Sequence, residues 1–224
     1  MLEQLKGGLI VSCQAQPDEP LHSPYIMARM ALAAKMGGAI GIRACGVSDI
    51  IEIKRTVDLP VIGLIKRDYD DSDVYITPTK REVIELLESG CEIIAIDATL
   101  RPRPNGEKLE DLVKLVHEHG VLAMADVSTV EEAIYAEKIG FDCISTTLSG
   151  YTDYSPQIEG PDIDLIDKLV NNISIPVIAE GRIHTPEQAT RVSEIGPHAI
   201  VIGTAITRPQ VITETYVKAL NFSK

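Results

Sequence analysis

A chain of 224 residues with 45% hydrophobic and 24% charged side chains is globular in composition and long enough to bury a sizeable core. Its net charge of -12 argues against nucleic acid or an anionic membrane as partner, so an anionic ligand would need positive charge supplied locally. Four scattered cysteines (Cys13, Cys45, Cys91, Cys143) include no C-x-x-C pair, which speaks against a zinc site or disulfide framework and for reduced thiols. The opening MLEQLKGGLIVSCQ lacks the h-region and cleavage site of a signal peptide, and no stretch is apolar for long enough to span a bilayer. The expected location is the cytoplasm.

In chain order, eight short apolar runs have the length of strands: GLIVSCQ (8–14), AIGIR (39–43), PVIGLIK (60–66), IIAID (93–97), VLAMAD (121–126), CISTT (143–147), PVIAE (176–180) and AIVIG (199–203). Most are almost continuously hydrophobic, as in a parallel sheet covered on its outer face. Segments of helical period separate them. Thr79-x-x-Glu82 and Ser128-x-x-Glu131 read as capping boxes, and Thr185-Pro186 as an N-cap with proline at the first helical position. Glycines at 37/38, 90, 120, 140 and 196 mark helix ends. A last helical segment runs from about 209 to 221. Eight strands alternating with eight helices predict an α/β fold, a single (β/α)8 TIM barrel, occupying residues 1–224 as one domain.

The connections are unequal. Helix-to-strand turns are short, whereas several strand-to-helix loops are long and polar: 16–23, 67–78, 98–107 and 148–161. Long loops in a compact domain are usually functional, and in this fold they gather where the strands' C-termini emerge. The strand ends there are polar too: Gln14, Arg43, Lys66, Asp97, Asp126, Thr147 and Glu180. Side chains alternate across a strand, so Ile62, Leu64 and Lys66 share a face, as do Ile178 and Glu180. Runs three and seven would lie on opposite sides of a closed eight-stranded barrel, placing Lys66 and Glu180 across the mouth from each other.

Lys66 at the mouth could be a base or a Schiff-base nucleophile if desolvation lowers its pKa, which its inward parity favours; the alternative is a lysine that snorkels into solvent. Glu180 could be catalytic, solvated, or the partner of Lys66 in a structural ion pair. Gln14, Arg43 and Asp126 suit sugar hydroxyls or a structural hydrogen-bond network. Gly181-Arg182 after run seven, and Gly203-Thr204 with Arg208 after run eight, suit an anion such as phosphate held by backbone N–H groups and a guanidinium; tight turns are the alternative. Asp97 alone resembles a metal ligand, but no strand-end histidine completes a set, so no metal site is expected. There is no G-x-G-x-x-G and no P-loop.

Taken together, GLIVSCQA, AIGIRACG, PVIGLIKRDY, IIAIDAT, MADVST, PVIAEGRIHTPEQA and AIVIGTAITRP resemble the bacterial N-acetylmannosamine-6-phosphate 2-epimerases over essentially the whole chain. The resemblance implies an isomerase that interconverts N-acetylmannosamine 6-phosphate and N-acetylglucosamine 6-phosphate in sialic acid catabolism, with no metal or redox cofactor. It makes Lys66 and Glu180 the acid–base pair. It makes Gln14, Arg43 and Asp126 sugar contacts, and Gly181, Arg182, Gly203, Thr204 and Arg208 the phosphate end. With the apolar-striped segment 211–222, it also implies a homodimer through the C-terminal helix. The rival classes are a Schiff-base lyase of the class I aldolase kind using Lys66, and a catalytically silent phosphosugar-binding module.

Overall fold

In the computed structural model, which describes residues 1–220, every apolar run becomes a strand. They are β1 Leu9–Cys13, β2 Gly41–Cys45, β3 Val61–Leu64, β4 Ile93–Asp97, β5 Leu122–Asp126, β6 Cys143–Ser145, β7 Val177–Glu180 and β8 Ala199–Ile202. All pair in parallel with their sequence neighbours, and β8 closes onto β1 through Leu9↔Ile200. The (β/α)8 barrel expected from the alternating pattern is therefore the observed architecture. Its outer helices are α1 Pro24–Met36, α2 Val47–Thr56, α3 Lys80–Leu87, α4 Leu109–Glu118, α5 Val130–Ile139, α6 Ile163–Asn172 and α7 Pro186–Glu194. A four-residue turn, α8 Thr204–Thr207, and α9 Pro209–Leu220 follow β8. The last residues of the predicted C-terminal helix, beyond 220, lie outside the described residues. No helix among the described residues is long and apolar enough to cross a membrane.

Strand alternation sorts the apolar residues into two layers. Ile10, Ile62, Leu64, Ile93, Ala95, Met124, Cys143, Ile178, Ala199 and Val201 fill the barrel interior. Their strand neighbours, among them Val11, Ile42, Val61, Ile94, Ala123, Ile144 and Val177, meet the helices outside. The parity argument for Lys66 and Glu180 thus holds at its root, because Ile62, Leu64 and Ile178 do point inward. A 3-10 turn at Leu2–Leu5 closes the bottom, with Leu5 packed into the interior cluster.

The helix starts follow the caps, with one correction. Thr79/Glu82 and Thr185/Gln188 form full capping boxes at α3 and α7. At α5 the box is Thr129/Glu132, one residue later than the predicted Ser128/Glu131. The reason is visible in the hydrogen bonds: Glu132 Oε2 accepts from the amides of both Ser128 (2.7 Å) and Thr129 (3.0 Å), and from the Ser128 hydroxyl (2.8 Å). Glu132 can serve both residues only from inside the helix, where it is buried, while Glu131 stays exposed.

Candidate active site

The long loops build the mouth of the barrel, and two of them are tied down there by hydrogen bonds. The 67–78 segment after β3 folds back on itself: Lys66 and Ile76 form an antiparallel bridge, and the Arg67 amide donates to the Tyr75 carbonyl (3.0 Å). Ile76 then enters the interior cluster at 2% exposure, a burial worth about 1.5–3 kcal/mol. Thr77 is buried with φ 45, and its amide donates to the Ile65 carbonyl (2.7 Å). The 148–161 segment is tied to α5, with the Tyr154 hydroxyl donating to Glu132 (2.5 Å) and Thr152 to Ser128 (3.1 Å).

Between these loops lies a cleft of about 250 Å³ whose lining includes Gln14, Arg43, Lys66, Thr147 and Glu180, with Gly181, Arg182, Gly203, Thr204 and Arg208 at one end. Nine of the ten residues singled out in the sequence line this single cavity. Asp126 is the exception. It stands behind Arg43, fully buried, and a contact with a sugar hydroxyl is not what its position favours.

Arg43 and Asp126 make a two-pronged ion pair, Nη1–Oδ1 at 3.1 Å and Nη2–Oδ2 at 2.6 Å, with side chains 1% and 0% exposed. Arg43 Nη1 also reaches Glu180 Oε2 at 2.5 Å. The Thr147 hydroxyl lies within hydrogen-bond distance of Asp126 (2.7 Å), Glu180 (3.0 Å) and Arg43 (3.1 Å). The Glu180 backbone is clamped by the Thr146 hydroxyl, which accepts from its amide (3.0 Å) and donates to its carbonyl (2.8 Å). One oxygen of Glu180 is therefore fixed from below while the carboxylate still faces the cleft. Burial would pull the Arg43 guanidinium down, but the charges of Asp126 and Glu180 outweigh it and hold it above its usual range. Burial pushes Glu180 up, against the opposing pull of Arg43.

Lys66 is placed differently. Among the described residues it forms no ion pair, with Glu180 or any other carboxylate, and its amine accepts or donates no hydrogen bond to protein. The structural ion pair weighed from the sequence is thus Arg43–Glu180, not Lys66–Glu180. The Lys66 side chain is open to solvent in the cleft yet walled by protein, and this partial desolvation, reinforced by Arg43 and Arg208, lowers its pKa against the opposing effects of Cys45 and Glu180. Among the described residues the amine is free, Arg43 and Arg208 act on it alongside burial, and the neutral form is favoured relative to an ordinary lysine.

The opposite end of the cleft collects donors. Gly181 has φ 114 and Arg182, the next residue, φ 53, a left-handed pair that turns the chain sharply after β7. Arg182 Nε donates to the Gly160 carbonyl (2.9 Å), and its guanidinium lies so close over Gly150 that a Cβ there would come within 1.3 Å of it. Gly203 leads into α8, whose first amides have no carbonyl in the turn to bond. Arg208 completes this end, held by Glu19 at 3.1 Å from the loop after β1. Gln14 donates to the Ser12 hydroxyl (2.8 Å), and its own carbonyl oxygen has no partner among the described residues.

Sequence reasoning missed Ser12, Tyr75, Ile76, Tyr151 and His184, which also line the cleft. Ser12 could have been found by parity, two residues before Gln14 on the inward face. Tyr75 and Ile76 lie in VYIT (74–77), a β-prone run inside a segment read as a polar loop. Tyr151 and His184 carry no pattern that would single them out.

The chain is similar to known proteins over its whole length. A model of the family described as "Putative N-acetylmannosamine-6-phosphate epimerase" matches residues 27–222. The chain is 61% identical over 223 residues to a "Putative N-acetylmannosamine-6-phosphate 2-epimerase" of Clostridioides difficile, covering 100% of both. It superposes with a TM-score of 0.96 on the solved structure of the N-acetylmannosamine-6-phosphate 2-epimerase from Clostridium perfringens, at 59% identity over 98% of this chain and 96% of that one. A thiamine phosphate pyrophosphorylase from Pyrococcus furiosus, at 19% identity and a TM-score of 0.61, shares the fold alone.

Proposed function

The chain belongs to the N-acetylmannosamine-6-phosphate epimerase family of isomerases, and we propose that it interconverts N-acetylmannosamine 6-phosphate and N-acetylglucosamine 6-phosphate. The observation that carries this reading is the cleft itself: a lysine of lowered pKa, unpaired among the described residues, shares one cavity with a fixed carboxylate and with a glycine- and arginine-lined end suited to an anion. In the open-chain sugar, the proton on carbon 2 is acidified by the neighbouring aldehyde. A base removes it to leave a planar enolate, and inversion requires a proton to return on the opposite face. Lys66 and Glu180, on strands four apart in the barrel, supply one group to each face. The developing oxyanion is stabilised by nearby positive charge, from Lys66 once protonated or from Arg43. Arg43 always carries its charge and so cannot take the proton itself; held by Asp126, it positions Glu180.

The phosphate rests on the amides of Gly181, Arg182, Gly203 and Thr204, with Arg208 as the charged partner; Gln14 meets the sugar. No metal or redox step is needed for this proton transfer, and sialic acid catabolism in the cytoplasm is the corresponding setting. A second copy of the chain is the expected partner. In support, α9 buries none of its residues and leaves Tyr216, Val217 and Leu220 exposed. The direct test is turnover: the purified protein should convert N-acetylmannosamine 6-phosphate to N-acetylglucosamine 6-phosphate without added cofactor, and an inert protein would overturn the proposal.

A further inference from the structure

Of the seven tyrosines, three donate their hydroxyl to a carboxylate: Tyr69 to Glu82 (3.0 Å), Tyr135 to Glu110 (2.5 Å) and Tyr154 to Glu132 (2.5 Å). Three others, Tyr25, Tyr151 and Tyr216, are more than half exposed and solvated. Tyr75 fits neither group. Its ring is half-buried against the interior cluster, and its hydroxyl has no hydrogen-bond partner among the described residues. A half-buried phenol ordinarily bonds to something, and this one lines the cleft.

The residue is also held rigidly. The Arg67 amide bonds its carbonyl, and the next residue, Ile76, is locked into the interior, with its carbonyl accepting from the Asp97 amide (3.0 Å). Burial, with the carboxylates of Asp126 and Asp97, pushes the phenol up to about 12, so at neutral pH it is a donor. Neither carboxylate is free to receive it: Asp126 is taken by Arg43 and Thr147, and Asp97 by Thr99 and Arg101. The hydroxyl's donor capacity is therefore left for whatever occupies the cleft.

The placement says which part of the ligand. The anion end is built by the segments after β7 and β8, whereas Tyr75 and Tyr151 come from the segments after β3 and β6. Tyr75 adjoins Ile76, the bridge partner of Lys66, so it lies beside the group that would act on carbon 2. The substituent on that carbon is the acylamino group. We propose that Tyr75 reads it: the hydroxyl donates to the acyl carbonyl oxygen, while the Tyr75 and Tyr151 rings shelter the methyl. A site built to bond a polar group discriminates against analogues that lack it, so Tyr75 sets a preference for N-acylated over unacylated sugar phosphates. This inference rests on the proposed substrate.

The test is a comparison of dissociation constants by calorimetry for N-acetylglucosamine 6-phosphate and 2-deoxyglucose 6-phosphate, with wild-type protein and Tyr75→Phe, alongside wild-type turnover. Tyr75→Phe should weaken the N-acetylated ligand about five- to tenfold, the scale of one hydrogen bond, and leave the deoxy ligand within about twofold. Equal weakening of both ligands would mean a structural role, and no weakening would mean no contact; either overturns the inference. Absent turnover with the ligand contrast intact would count against the epimerase reading and leave Tyr75 as an acyl-group contact.

Discussion

Replacing Asp126 with Asn separates support of the site from chemistry in it. The Asp126 side chain is 0% exposed and gives both oxygens to Arg43, itself 1% exposed. The introduced carboxamide would turn one N–H group toward the guanidinium and leave Arg43 with Glu180 as its one charged partner. Breaking a buried pair typically costs about 3–5 kcal/mol; because Glu180 stays bonded to Arg43, the lower end applies, about 3 kcal/mol. For a chain of this length that corresponds to a fall in Tm of about 6–12 °C. Calorimetric melting at neutral pH reads it, with Arg81→Ala as comparison: Arg81 pairs with Glu85 on the surface at 67% exposure, and such pairs contribute about 0–1 kcal/mol. Turnover should fall as well, since Arg43 fixes Glu180. A Tm for Asp126→Asn within about 2 °C of wild type would refute the claim that this pair holds the barrel mouth together.

Two further outcomes follow from the same geometry. Arg208→Ala should lower kcat/KM for N-acetylmannosamine 6-phosphate by about 2–4 kcal/mol, the cost of removing a charged partner from a sequestered anion, and cost much less with N-acetylmannosamine. Equal penalties with and without the phosphate would mean that Arg208 does not read it. For the oligomer, light scattering at micromolar concentration should give the mass of a dimer, and exchanging Val217 and Leu220 for Asp should shift it toward the monomer. A wild-type monomer would show that α9 is not a subunit contact.

The fold was legible because each strand is a short apolar run between capped helical segments, and the parallel barrel is what that alternation builds. Strand-end position brought Gln14, Arg43, Lys66 and Glu180 to the mouth, and side-chain alternation aimed Lys66 and Glu180 inward, since residues two apart on a strand share a face. The sequence could not say which charges pair. Strands β2, β5 and β7 bring Arg43, Asp126 and Glu180 together from positions up to 137 residues apart, leaving Lys66 alone. The α5 cap slipped by one residue because Glu132 satisfies two successive amides, which S/T-x-x-E spacing does not register. Tyr75 went unseen because the polar residues of 67–73 mask the strand-like VYIT that follows them.

The central claim is that Lys66 and Glu180 move the carbon 2 proton. Proton NMR of N-acetylmannosamine 6-phosphate with the protein in heavy water observes that atom directly. The wild-type protein should form N-acetylglucosamine 6-phosphate carrying deuterium at carbon 2, and Lys66→Ala and Glu180→Ala should each slow product formation at least about a hundredfold, the scale of general acid–base assistance. Because Lys66 is unpaired, its variant should melt close to wild type, so the loss would not be one of folding. Both variants keeping wild-type rates, or product forming with only protium at carbon 2, would contradict the account.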